Sequence, residues 1–125
     1  MKWVPLGVAL CVHDRQISEH GGAFGLRDMG LLESGLTRAK QRACHDKRAD
    51  VCDLGAEYAF GIARDHPFID GNKRTAYVTT RLFLRLNNKD MGGAPSERVL
   101  MFVGLAKGTC GLNEFAAWLR GPRSQ

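Results

Sequence analysis

His66-Pro67-Phe68-Ile69-Asp70-Gly71-Asn72-Lys73-Arg74-Thr75-Ala76, or HPFIDGNKRTA, lies in the middle of a chain of 125 residues. Pro67 restricts the residue before it and cannot continue a helical ladder, so a helix arriving at this stretch must stop near Asp65. Gly71 lets the chain turn tightly, and a new helix runs from about Asn72 to Asn87. The stretch is therefore a loop between two helices.

Beyond the loop, Ala76, Val78, Thr79, Leu82, Phe83, Leu84 and Leu86 leave little polar face apart from Arg81 and Arg85. So broad an apolar surface predicts the central helix of a bundle. Before the loop, Asp50 caps the third helix and Asp53 occupies its third position, two acids well placed against unsatisfied backbone amides. Leu54, Tyr58 and Ile62 form one apolar line along that helix, while Ala56, Ala59 and Ala63 allow close approach by neighbours.

Working outward, Val8, Leu10, Cys11, Val12 and Ile17 suit a first helix from Pro5 to about Glu19, ended by Gly21-Gly22. Asp28 caps a second carrying Leu31, Leu32 and Leu36, which gives way to the polar KQRACHDKRAD. NNKDMGGAPS is an exposed connection with room for a short extended segment. Ser96 opens a fifth helix, and NEFAAWLRG is a sixth. No strand run, repeat or long linker competes. The expectation is all-α: six helices in one compact domain over residues 1–125.

A length of 125 residues is the size of one domain, with no room for a second catalytic one, and a hydrophobic content of 44% is enough for one core. The formal charge of +5, from 18 Lys and Arg against 13 Asp and Glu, suits anionic ligands. Cys11, Cys44, Cys52 and Cys110 form neither a CxxC pair nor a metal-ligand spacing, and read as reduced, mostly buried thiols of a cytoplasmic protein. His13, Asp14 and Arg15 interrupt the short apolar run of MKWVPLGVALCVHDRQ, which reads as an amphipathic helix instead of an export signal. Nothing later approaches membrane-span length.

The central stretch combines chemistries that packing does not require. The first amides of the fourth helix lack intrahelical acceptors and form an anion site. Lys73 and Arg74 add charge, the arginine as a fork for two phosphate oxygens. Asp70 would repel phosphate unless Mg²⁺ lies between them; its other reading is the cap of the fourth helix. His66 has an imidazole suited to taking a proton from an attacking hydroxyl, and also stands where a histidine can merely cap or pack. Phe68 reads as the buried anchor of the loop, which lets His66 and Asp70 face one cavity.

HPFIDGNKRTA resembles the signature of the Fic/Doc family, and HDRQISEHGGAFGLRDMGLLES and GIARDHPF extend the likeness to its Doc (death-on-curing) branch of bacterial toxin–antitoxin modules. The resemblance covers nearly the whole chain. It implies that His66 is the general base and that Asp70 binds Mg²⁺. It also implies that Asn72, Lys73 and Arg74 hold the phosphates of ATP, with Gly71 supplying backbone room. Arg64 would be a further phosphate contact, or else a solvated helix end. Typical adenylyltransferases of the family carry a second glycine where this chain has Lys73 and a second arginine where it has Tyr77. The NKRTA form implies instead a protein kinase that phosphorylates a threonine of a translation factor, elongation factor Tu, and arrests translation.

Relatives often carry an inhibitory Ser/Thr-x-x-x-Glu-Gly/Asn stretch. Here Glu19, Glu33, Glu57, Glu97 and Glu114 are followed by His, Ser, Tyr, Arg and Phe, so no such stretch is present. The resemblance therefore implies a separate antitoxin whose C-terminal segment folds into a surface groove. AMP transfer by the same site is the nearest rival, then a degenerate toxin kept only for antitoxin binding. A non-catalytic nucleic-acid-binding module is weaker still, because the basic residues form no continuous stripe and no aromatic platform accompanies them. Direct nucleic-acid binding is not expected.

Overall fold

The computed structural model describes residues 1–121, which form α1 (Leu6–His20), α2 (Met29–His45), α3 (Val51–Ala63), α4 (Asn72–Leu86), α5 (Pro95–Lys107) and α6 (Leu112–Arg120). The chain is all-α; the sole extended pairing among the described residues is an isolated bridge between Leu26 and Phe68. The caps lie where short polar side chains can serve free amides. Asp28 accepts from the Leu31 N–H at 3.1 Å, and Asp50 and Asp53 bond each other's backbone N–H at 2.9 and 3.0 Å. The fifth helix begins at Pro95, with Ala94 as N-cap, instead of being opened by Ser96. Proline's fixed φ suits that first position, where its missing N–H costs nothing.

Helix α3 packs against α2, α4, α5 and α6, and ten of its thirteen residues are buried. It is the most enclosed element. Helix α4 is central in a second sense: it packs against α1, α3 and α5, while α1 and α5 do not meet. A groove floored by α4 is left open between them. Tyr58 and Phe83 join α3 to α4 with ring centroids 4.7 Å apart. The Tyr58 hydroxyl, fully buried, accepts from the Val4 N–H at 3.0 Å and ties down the N-terminal segment.

Two features of the packing depart from expectation. The buried line of α1 is Ala9, His13 and Ile17, each four residues from the next, whereas Val8 and Cys11 point outward. Side-chain direction follows helical phase, so a polar histidine can occupy the inner line while a valine is left outside. Likewise only Cys52 and Cys110 are buried; Cys11 and Cys44 are exposed. Burial pushes the two inner thiols up and keeps them protonated.

Between α2 and α3 the contact is polar as well as close. Glu57 has a side chain only 7% exposed and sits between Arg38 at 2.8 Å and Arg42 at 3.1 Å. Its charge is paired on both oxygens, as a buried carboxylate requires. Nearby, Gly35 and Gly61 let the two backbones touch. A Cβ on Gly61 would lie 2.6 Å from the Gly35 Cα. Neither backbone can yield without moving a whole helix. Gly61→Ala should therefore lose roughly 1–3 kcal/mol of stability despite alanine's better helix propensity, read as a lower urea midpoint. A midpoint equal to or above wild type would show that the helices separate freely.

Candidate active site

The loop between α3 and α4 has to reverse the chain while its backbone stays satisfied. His66 turns it with φ of 53°, a left-handed conformation that costs a non-glycine residue about 1–2 kcal/mol. The surroundings hold it there. Arg27 donates from Nη2 to the Asp65 carbonyl and from Nε to the His66 carbonyl, both at 2.7 Å. The Pro67 carbonyl accepts from the Arg27 and Asp28 N–H groups at 2.8 and 3.0 Å, and the Ile69 N–H donates to the Gly25 carbonyl at 3.1 Å. Asn72 completes the frame: its side chain accepts from the Phe68 N–H and donates to the Phe68 carbonyl, both at 2.9 Å.

Phe68 is buried and lies flat on His13, with ring centroids 3.8 Å apart and planes 6° from parallel. The His13 Nε2 is 2.8 Å from the Asp70 carbonyl. A carbonyl only accepts, so this nitrogen carries a proton. The same argument sets His66. Its Nδ1 lies 2.9 Å from the Arg64 carbonyl and must donate, which leaves Nε2 of the neutral ring as the free lone pair. The ring is exposed. That is the arrangement a proton acceptor needs.

Asp70 is also exposed. Its Oδ1 accepts from the Gly71 N–H at 2.9 Å and its Oδ2 from the Ala23 N–H at 3.3 Å. These bonds, that to Gly71 foremost, hold the carboxyl below the usual carboxylate range. It does not cap α4: the N-cap is Gly71, in the left-handed region at φ of 74°. A Cβ there would lie 3.0 Å from the Ile17 Cδ1, so both conformation and space call for glycine. With no side-chain cap, the N–H groups of Asn72, Lys73 and Arg74 have no acceptor among the described residues. They form the positive end of a helix of fifteen residues.

These amides open into a pocket of about 680 Å³. One end is polar, walled by Asp70 to Arg74 with Gln16 and His20 of α1; the other is apolar, walled by Tyr77, Val78, Val99, Phe102 and Val103. Lys73 and Arg74 are exposed and have no acidic partner among the described residues. Their charge is available to a ligand. The volume and the division into anionic and apolar ends suit a nucleotide. Among the described residues no three His, Cys, Asp or Glu side chains meet to hold a metal. One ionised carboxylate beside a phosphate site nevertheless fits Mg²⁺, which takes one or two carboxylates and completes its shell from phosphate and water.

The residues singled out in the sequence are only partly brought together. Asp70, Gly71, Asn72, Lys73 and Arg74 line the pocket. Asn72 does so with its side chain already committed to Phe68, so what it offers a phosphate is its N–H. His66 is not among the residues that wall this pocket, where Asp70 is; its Nδ1 is bonded to the Arg64 carbonyl. Arg64 lies elsewhere, its guanidinium 5.5 Å over the Phe60 ring and against Gly108. The position of the absent second arginine is filled by Tyr77, whose hydroxyl accepts from Arg98 at 3.2 Å. Arg98 also donates to the Gly92 and Met91 carbonyls.

Sequence reading passed over His13 and Arg27. The spacing of His13 from Ala9 and Ile17 was a usable signal. Arg27 gave none, because its partners lie 38 and 39 residues away.

A helical fold with a phosphate-type pocket at the end of an HPFIDGNKRTA loop defines a nucleotide-using transferase domain. Residues 3–84 match the Fic/DOC family, and the chain belongs to it. It is 35% identical over 111 residues to the protein kinase doc of Escherichia phage P1, covering 89% of this chain and 87% of that one. It is 32% identical over 106 residues to the toxin Doc of Mycolicibacterium smegmatis, covering 81% and 80%.

The double bond to Phe68 makes a measurable claim about Asn72. Asn72→Ala should destabilise the protein by about 2–3 kcal/mol, because a buried N–H and C=O lose their partners together. Asn72→Asp, which keeps the acceptor but sets a carboxylate against the Phe68 carbonyl, should be no better. Urea unfolding of the two variants checks this; wild-type midpoints would mean that water replaces the amide without loss.

Proposed function

We propose that this protein is the toxin of a toxin–antitoxin module, a cytoplasmic protein kinase that moves the ATP γ-phosphate to a threonine or serine of a translation factor of the elongation factor Tu type. The observation that carries the reading is the pairing of a preset His66 Nε2 lone pair with an adjacent phosphate-type pocket at the α4 N-terminus. The phosphates of ATP lie against the amides of Asn72 to Arg74, with Lys73 and Arg74 neutralising their charge. Asp70 is the residue that would hold Mg²⁺, which supplies further charge neutralisation to the phosphates when bound.

His66 Nε2 takes the proton of the acceptor hydroxyl as its oxygen bonds to the γ-phosphorus. The bond from that phosphorus to the β–γ bridging oxygen breaks, and ADP leaves. Because His66 stands exposed outside the pocket wall, the hydroxyl arrives from solvent, as a side chain of a protein would. Lys73 and Tyr77, standing where AMP transfer in this family uses glycine and arginine, favour the kinase over adenylylation. Arg98 does not replace the missing arginine, since two of its donors are taken by carbonyls and a third by Tyr77.

His66→Ala should keep the fold and most ATP affinity while losing roughly 10² to 10⁴ in transfer rate. The translation factor should gain about 80 Da as phosphate, against about 329 Da for AMP. Intact mass reads both. An AMP adduct from the wild-type protein rejects the kinase, and an undiminished rate in His66→Ala rejects the base.

Control comes from a cognate antitoxin whose C-terminal segment lies in the groove between α1 and α5. The groove is continuous with the pocket, and its α5 rim carries Val99, 56% exposed. Co-expression of the antitoxin should abolish toxicity, and Val99→Asp should weaken the complex at least about tenfold by burying an unpaired carboxylate. Toxicity that persists in a demonstrated stoichiometric complex would exclude control by binding.

A further inference from the structure

We propose that Arg27 is a positioning residue for the transfer: it locks the left-handed backbone of His66 and thereby sets the direction and tautomer of the imidazole. The inference rests on the reading of His66 as base. Its ground is the geometry of one guanidinium.

The φ angle of His66 orients the peptide plane that precedes it, and ψ orients the plane that follows. The Asp65 carbonyl belongs to the first plane and the His66 carbonyl to the second. Arg27 holds both oxygens at 2.7 Å from Nη2 and Nε of its planar fork. Both backbone angles of His66 are thus tied to one rigid group. The bonds are charge-assisted, and Arg27 forms no ion pair among the described residues that would draw it elsewhere. Its own backbone is fixed by its N–H on the Pro67 carbonyl at 2.8 Å.

The conformation so held matters for the ring. With φ at 53°, the imidazole folds back to put Nδ1 against the Arg64 carbonyl at 2.9 Å. Once the two planes are free, the residue relaxes toward ordinary negative φ. Nδ1 then loses its acceptor, and the proton distributes over both nitrogens. Such a change leaves the rest of the loop in place. Phe68 stays stacked on His13, and Asn72 and His13 keep their bonds to Phe68 and Asp70. Nor does Arg27 line the nucleotide pocket, so its loss spares ATP binding. A phosphate-contacting arginine would behave in the opposite way.

The decisive experiment is ring-nitrogen NMR of His66 at a pH where the imidazole is neutral, on wild type, Arg27→Ala and Arg27→Lys. Wild type should show protonated Nδ1, and both variants a mixture of tautomers. Lysine keeps the charge but cannot bridge two carbonyls. With the translation factor as acceptor, both variants should lose roughly 10- to 100-fold in kcat, with KM for ATP unchanged within about twofold. Ethylguanidinium should restore part of the Arg27→Ala rate, and ethylammonium should not. A His66 ring that stays protonated on Nδ1 in both variants overturns the proposal, as does a loss that falls on the ATP KM. Failure of the base reading shows separately, as a His66→Ala protein that still transfers phosphate; the NMR result on Arg27 decides the positioning whichever way that falls. Should Arg27→Ala not fold, Arg27→Lys carries the test, with near-ultraviolet circular dichroism confirming native packing.

Discussion

The constraint on which the site depends is the short return from α3 to α4. These helices pack antiparallel along their lengths, with Leu84 against Gly55 near one end and the loop at the other. Residues 64–71 have to reverse direction, and Phe68 among them is buried. Burying one side chain of so tight a turn draws the neighbouring backbone away from water, and each polar group must then find a partner. It finds them in side chains of α1 and α4 and in both backbone and side-chain groups of the 23–28 segment. The chemistry of the loop is largely a consequence of that bonding. The His66 tautomer, the Asp70 carboxylate and the uncapped α4 amides are all set by which backbone groups were already taken.

Charge is arranged around the same loop by omission. Several arginines elsewhere are paired with acids: Arg38 and Arg42 with Glu57, Arg81 with Asp90, Arg120 with Asp50. The Arg120 pair holds the Asp50 carboxyl down at about 2. Lys73 and Arg74 have no acid partner among the described residues, and they stand at the positive end of α4. Two unpaired cations beside three free amides are destabilising by themselves through mutual repulsion, and are relieved by an anion. Burial of hydrophobic surface elsewhere supports that local excess, as it does at many binding sites.

The helices were legible because their signals are local. Asp28, Asp50 and Asp53 cap within one turn of themselves, and Pro67 stops α3 by its own covalent geometry. The run of free amides and cations at the candidate site was legible for the same reason, since Gly71 to Arg74 are consecutive and share one helix terminus. Other features depend on pairs far apart in sequence. The Gly35–Gly61 contact needs two helices to be docked before either glycine has a purpose. His13 shares the spacing of Ala9 and Ile17, but its purpose shows only once Phe68 is placed over it. Cys11 and Cys44 look like core residues by type and are outside by helical phase. Arg27 resembles any exposed arginine, and only the loop's carbonyls give it a role.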